Sequence, residues 1–198
     1  MRWSAGAAGL DAGPATLLAL LAAILVTGGF HEDGLADVAD GLGAHVGRER
    51  KLEMLRDSRV GTYGALALVF AVAFPLTVLT PLSDGEVLRA ALAAHVLGRW
   101  STLPHSLLLT PARPDGKGTL LRATPAVTVA ASAYSAAIVV ACGGVGPGAV
   151  ALAVAVIVTL AGAAVLRRKL GGATGDGFGA VNKLVELATY AALAAAWA

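Results

Sequence analysis

Six stretches of mostly apolar residues recur along this 198-residue chain and leave it few ways to fold. They run roughly over 14–30, 62–82, 87–109, 123–142, 147–166 and 181–198. A helix crosses the hydrocarbon of a bilayer with about 20 mostly apolar residues, and each stretch is near that length. The chain is 57% hydrophobic and 14% charged, against about 25% charged in ordinary soluble domains. A soluble fold of this size cannot hide that much apolar surface, whereas lipid solvates it. The expected fold is therefore all-α: a polytopic transmembrane bundle of about six membrane helices, forming one domain over residues 1–198. The stretch Leu17–Val26 has the apolar character of a secretory signal, but Met1–Arg2 is a thin basic region and a polar motif follows. It is read as a retained membrane helix. Cys142 is the only cysteine, which excludes an intrachain disulfide and a cysteine zinc site. A net charge of +2 with no basic tail and no aromatic series argues against nucleic-acid binding.

The basic residues give the expected orientation. Arg48, Arg50, Lys51, Arg56 and Arg59 fall between the first and second stretches. Arg113, Lys117 and Arg122 fall between the third and fourth, and Arg167, Arg168 and Lys169 between the fifth and sixth. In a serpentine chain these connections share a side, so 11 of the 15 Lys and Arg residues gather on one face. The positive-inside rule makes that face cytoplasmic, in a multi-pass protein of the cell inner membrane. Arg89 fits this pattern least.

Between the first two stretches lies an acidic segment from His31 to Gly41. At 3.6 residues per turn Asp33, Asp37 and Asp40 fall within roughly 60° of one another, with Leu35, Val38, Ala39 and Leu42 opposite. Two carboxylates about 5 Å apart repel by roughly 3 kcal/mol at an effective dielectric of 20. No basic residue stands three or four positions on to relieve them. A divalent cation would, and an all-oxygen donor set suits Mg²⁺, or Mn²⁺, rather than zinc. Glu32 joins this expected metal set, although an ideal helix points it elsewhere. Asp57 adds a further carboxylate near the second stretch. The plainer alternative is a solvated acidic helix start, favoured by the helix dipole.

Gly171-Gly172-Ala173-Thr174-Gly175-Asp176-Gly177 is a glycine-rich loop leading into the last helix. Glycines permit close backbone approach and helix N-termini attract anions, which marks Thr174, Gly175 and Asp176 as candidate phosphate or nucleotide contacts. The plainer reading is a flexible loop ending in a helix cap. Asn182 and Glu186 are one turn apart and placed to support Asp176. The loop from Arg113 to Gly118 offers Arg113 and Lys117 as phosphate clamps. Arg99 lies within an apolar helix, where charge is costly, so it should face a cavity or a partner.

The string Gly28-Gly29-Phe30-His31-Glu32-Asp33-Gly34-Leu35-Ala36-Asp37-Val38-Ala39-Asp40-Gly41 closely resembles the signature of the cobalamin synthase (adenosylcobinamide-GDP ribazoletransferase) family. The resemblance continues through Asp57-Ser58-Arg59-Val60-Gly61-Thr62-Tyr63-Gly64, Ala112–Gly118 and Gly171–Asp176, in the family order. Members usually carry a longer segment before the acidic motif than the residues 1–27 found here, which suggests a short or truncated form.

The resemblance implies a magnesium-dependent transferase of cobalamin biosynthesis. Its substrates would be adenosylcobinamide-GDP and α-ribazole or α-ribazole 5′-phosphate. The ribose 3′-hydroxyl attacks the cobinamide-linked phosphate, GMP leaves, and adenosylcobalamin or its 5′-phosphate forms. Under this reading Asp33, Asp37, Asp40 and Glu32 hold the metal, and Asp57 and Asp40 are candidates for the base. Arg59, Arg99, Arg113, Lys117, Thr174, Gly175 and Asp176 contact substrate. The lipid bilayer is an expected partner, and a homo-oligomer is left open. Two alternatives stand beside it. A CDP-alcohol phosphotransferase also uses an aspartate helix at the membrane edge, but Asp37 stands where that pattern calls for Arg, and its later aspartate segment is missing. A cation transporter or scaffold would need its charged groups near mid-membrane.

Overall fold

The computed structural model describes residues 2–7, 9–113 and 122–197. Among these residues every regular element is a helix, and the one β contact is an isolated parallel bridge between Pro111 and Ala173. The elements are α1 (Arg2–Ala7), α2 (Ala12–Thr27), α3 (Phe30–Gly43), α4 (Arg48–Met54), α5 (Thr62–Leu79), α6 (Asp84–Leu108), α7 (Pro125–Gly143), α8 (Val145–Leu170) and α9 (Gly175–Trp197).

All six apolar stretches fold as helices, and the chain is an all-α membrane bundle. Among the described residues three helices, α5, α7 and α8, are long and apolar enough to cross a membrane. The first stretch is cut short at Gly28 and Gly29, which both take left-handed backbone angles (φ 68° and 67°) that favour glycine. There the chain turns by 89° from α2 into α3, and the two qualify as a span only as a bent pair. Length and composition thus support three spans, or up to four, where the sequence reading expects six. α6 and α9 fall short because of their polar residues. The reason is packing: α9 is the hub of the bundle, set against α3, α5, α6 and α8. Fourteen of its 23 residues are buried, so most of its surface meets protein and need not be apolar. The lipid-compatible surface lies outside, on residues such as Val69, Phe70, Val129, Tyr134 and Ile157, all more than half exposed.

Local signals explain where helices begin. Ser83 and Glu86 form a reciprocal capping box at the start of α6. Thr124 caps α7, with Pro125 in its first turn. The loop ends near α4 are stitched together. Ala112 N–H donates to Ala173 C=O and Ala173 N–H to Thr110 C=O, both at 2.8 Å. Arg48 donates to the carbonyls of Leu170 and Ala112, each at 2.9 Å. The basic connections after α3, α6 and α8 therefore meet at one end of the bundle.

Candidate functional site

The acidic helix α3 lies across the starts of two other helices, and glycine makes the first crossing possible. A Cβ on Gly34 would sit 2.8 Å from the carbonyl oxygen of Asp176 and 3.2 Å from Gly179 Cα. Backbone contact this close brings the exposed Asp33 and half-buried Asp37 beside Asp176, in the first turn of α9. At its other end α3 meets α5. Asp40 Oδ2 accepts from Gly61 N–H at 2.7 Å and Oδ1 from Gly64 N–H at 2.9 Å. A carboxylate 21 residues upstream of Gly61 thus caps α5, satisfying amides a helix start leaves open. Lys51 closes the far end. Its buried ammonium donates to the carbonyls of Gly41 (3.0 Å), Leu42 (3.4 Å) and Ala44, the last turn of α3.

This arrangement concentrates negative charge. α3 turns off by 89° from α2 and crosses the starts of α5 and α9. There, partial burial first, and then the charges of Asp33, Asp176 and Asp40, push the Asp37 carboxyl up to about 6. Among the described residues no three carboxylate, imidazole or thiol groups converge closely enough to hold a metal unaided. Beside the stripe lies a cavity of about 270 Å³, lined by Asp37, Asp40, Met54, Asp57, Arg59 and Gly61 among others. Asp57 and Arg59 form an exposed pair at 2.6 Å, and Arg59 N–H also donates to Asp57 at 3.1 Å. These bonds hold the Asp57 carboxyl down at about 2.

The phosphate-side candidates are placed less uniformly. Thr174 is buried, and its hydroxyl accepts from Gly177 N–H at 2.9 Å, so it caps α9. Gly175 begins that helix. Arg113 donates to the Leu52 carbonyl at 3.1 Å and ties its loop to α4. Lys117 lies outside the described residues.

Glu32 and Arg99 belong to a second cluster, inside the bundle. Glu32 turns inward to Lys183 on α9, at 2.8 Å, away from the aspartate stripe. Lys183 also meets Glu186 at 3.3 Å. Glu186 in turn meets His95 and, at 3.6 Å, Arg99, both on α6. Glu186 therefore serves this interior group, while Asn182 packs its side chain against Gly98 of α6. A void of about 10 Å³ at its centre, bounded by His31, Glu32, His95 and Arg99 among others, approaches the size of one water. The sequence reading missed Lys183 and His95. Their signal was spacing: His95 and Arg99 recur one turn apart in α6, as Lys183 and Glu186 do in α9, and four such groups on two apolar helices need each other.

Comparison with known proteins bears on this layout directly. The profile of the Cobalamin-5-phosphate synthase family matches residues 3–194. An adenosylcobinamide-GDP ribazoletransferase of Mesorhizobium japonicum is 41% identical over 181 residues, covering 91% of this chain and 70% of the relative. The protein of that name from Bradyrhizobium diazoefficiens is 42% identical over 183 residues, covering 90% and 70%. That from Leptothrix cholodnii is 40% identical over 194 residues, covering 91% and 73%. No solved structure matches the chain. With a profile match over nearly its whole length, and three of the sequence blocks of the resemblance (28–41, 57–64 and 171–176) gathered around α3, α5 and α9, the chain belongs to the Cobalamin-5-phosphate synthase family.

Proposed function

We propose that this membrane protein is an adenosylcobinamide-GDP ribazoletransferase. It joins α-ribazole, or its 5′-phosphate, to adenosylcobinamide-GDP and releases GMP. The observation that carries the reading is the crossing of α3 over α9 at Gly34, which gathers Asp33, Asp37 and Asp176 from two of the family's sequence blocks at one edge of the bundle. The names carried by relatives near 40% identity favour it over phospholipid synthesis or transport.

The donor chemistry fits Mg²⁺. The donors are oxygens only, and crowding already strains the charged form of Asp37. Mg²⁺ is commonly held by one or two carboxylates together with substrate phosphates and waters, so a preformed three-residue cage is not required. Asp33, Asp37 and Asp176 would hold the ion. When bound, it supplies charge neutralisation for the diphosphate and its departing GMP. Arg59, at the cavity rim, reaches for a phosphate oxygen. As it does so it gives up Asp57, whose carboxyl then becomes basic enough to accept the proton of the attacking 3′-hydroxyl. Asp40 keeps its cap on α5 and fixes the floor of the cavity. The new bond joins the ribose 3′-oxygen to the cobinamide-linked phosphorus, and the bond from that phosphorus to GMP breaks. The shared end of the three basic connections supports a cytoplasmic site.

The test is turnover by the purified chain in a bilayer. GMP release from adenosylcobinamide-GDP should require α-ribazole and Mg²⁺, with adenosylcobalamin formed in equal amount. Absence of GMP, or cation flux without turnover, overturns the proposal.

A further inference from the structure

A groove of about 510 Å³ runs between α5 and α8, with α9 as its floor. Its walls are apolar: Phe70 and Phe74 on α5, Ile157 and Val165 on α8, Val181 and Leu184 on α9. Val38 and Leu42 of α3 roof one end. Both walls belong to helices long and apolar enough to cross a membrane, so the groove lies in hydrocarbon. Its depth can be counted. The lining runs from Ala180 to Ala188 on α9 and from Leu166 back to Ile157 on α8, which at 1.5 Å per residue is roughly 12–14 Å. That is about half of the ~30 Å hydrocarbon thickness, or one leaflet. The roofed end is the end that carries the acidic helix.

Charge at that end selects the occupant. On α8 the lining residues Ile157, Ala161 and Val165 follow helical spacing. The same face continues three and four residues on, at Arg168 and Lys169, both exposed. Two cations thus stand where the groove reaches the headgroup level. We infer that the groove between α5 and α8 seats an acyl chain of an anionic phospholipid from that leaflet, with its phosphate at Arg168 and Lys169. The inference does not depend on the transferase reading, since it uses no residue of the acidic site.

The experiment places the full chain in nanodiscs of phosphatidylcholine and phosphatidylglycerol in equal parts. In parallel samples one lipid or the other carries a photoreactive group on its acyl chain. Crosslinks should map to Phe70, Phe74, Ile157 and Val165, more strongly from phosphatidylglycerol. Arg168→Gln with Lys169→Gln should remove that preference, a loss of about fivefold for each basic side chain. Ala161→Trp should abolish groove labelling by both lipids. Folding of each variant is checked by monodispersity in detergent. Equal labelling from the two lipids overturns the proposal. So does labelling spread evenly onto Val129 and Tyr134 of α7, or crosslinking of groove residues to a second copy of the chain.

Discussion

Lys183 Nζ stands 2.8 Å from Glu32 Oε1, and this buried ion pair joins the acidic helix to the hub of the bundle. Both side chains are about nine-tenths buried. The residue after Glu32 is Asp33, so the pair also sets the rotation of the acidic stripe. Glu32 faces in and Asp33 faces out.

Removing one partner should cost more than removing both. Lys183→Met leaves Glu32 and Glu186 buried without their ammonium, a loss of about 3–5 kcal/mol. The double change Lys183→Met with Glu32→Gln should recover part of that stability. Thermal unfolding of the four proteins in one detergent forms the double-mutant cycle. Strict additivity would show that the pair is not coupled.

Asp40 offers a cleaner separation of charge from structure. Asn keeps one acceptor for the amides of Gly61 and Gly64, and Ala keeps none. Asp40→Ala should therefore lose about 1–2 kcal/mol, the usual worth of a helix cap, and Asp40→Asn about half as much. Exchange of the Gly61 and Gly64 amides, followed by mass spectrometry, should quicken most in the Ala variant. Equal exchange in all three proteins would mean that the cap contributes nothing.

Much of this layout was legible in the sequence, and the remainder has a physical reason. The spacing of Asp33, Asp37 and Asp40 gave their shared face, because helical periodicity is local. The fate of each carboxylate was not local. Glu32 finds Lys183 and Asp40 finds Gly61, through contacts that only the packing of α3 on α9 and α5 creates. Lys51 looked like one more topology-setting cation, but it is buried on the α3 carbonyls. By length and composition alone α6 and α9 do not count as spans, for a related reason. Hydropathy assumes that lipid surrounds a helix, and α9 is mostly walled by protein.

Arg59 ties a site property to kinetics. Arg59→Gln removes the guanidinium bonds that chiefly hold Asp57 at about 2 and keeps the backbone N–H bond, so its carboxyl should move part of the way back toward an ordinary value near 4. Both side chains are exposed, and stability should hardly change. If Arg59 contacts a substrate phosphate, KM for adenosylcobinamide-GDP should rise by about tenfold or more, since charge-assisted bonds to phosphate are the strong ones. Steady-state kinetics checks this. An unchanged KM would place the phosphate elsewhere.

The crowding of Asp37 predicts how stability follows pH. Its carboxyl is raised from 3.8 to about 6 by burial, then by Asp33, Asp176 and Asp40. Between those values the folded protein holds a proton that the unfolded chain has released, so stability falls as pH rises through this window and levels off above about 6. Asp37→Asn removes that slope, and the difference between the two proteins isolates it from other carboxylates. A bound divalent cation acts the other way, because it needs the charged form. Added Mg²⁺ should raise the Tm of the unaltered chain above pH 6, do little near pH 4, and do less for the Asn variant throughout. Melting curves at a series of pH values, with Mg²⁺ or with a chelator, give all four profiles. Identical pH slopes in the two proteins would mean that neither burial nor Asp33, Asp176 and Asp40 raise the Asp37 carboxyl.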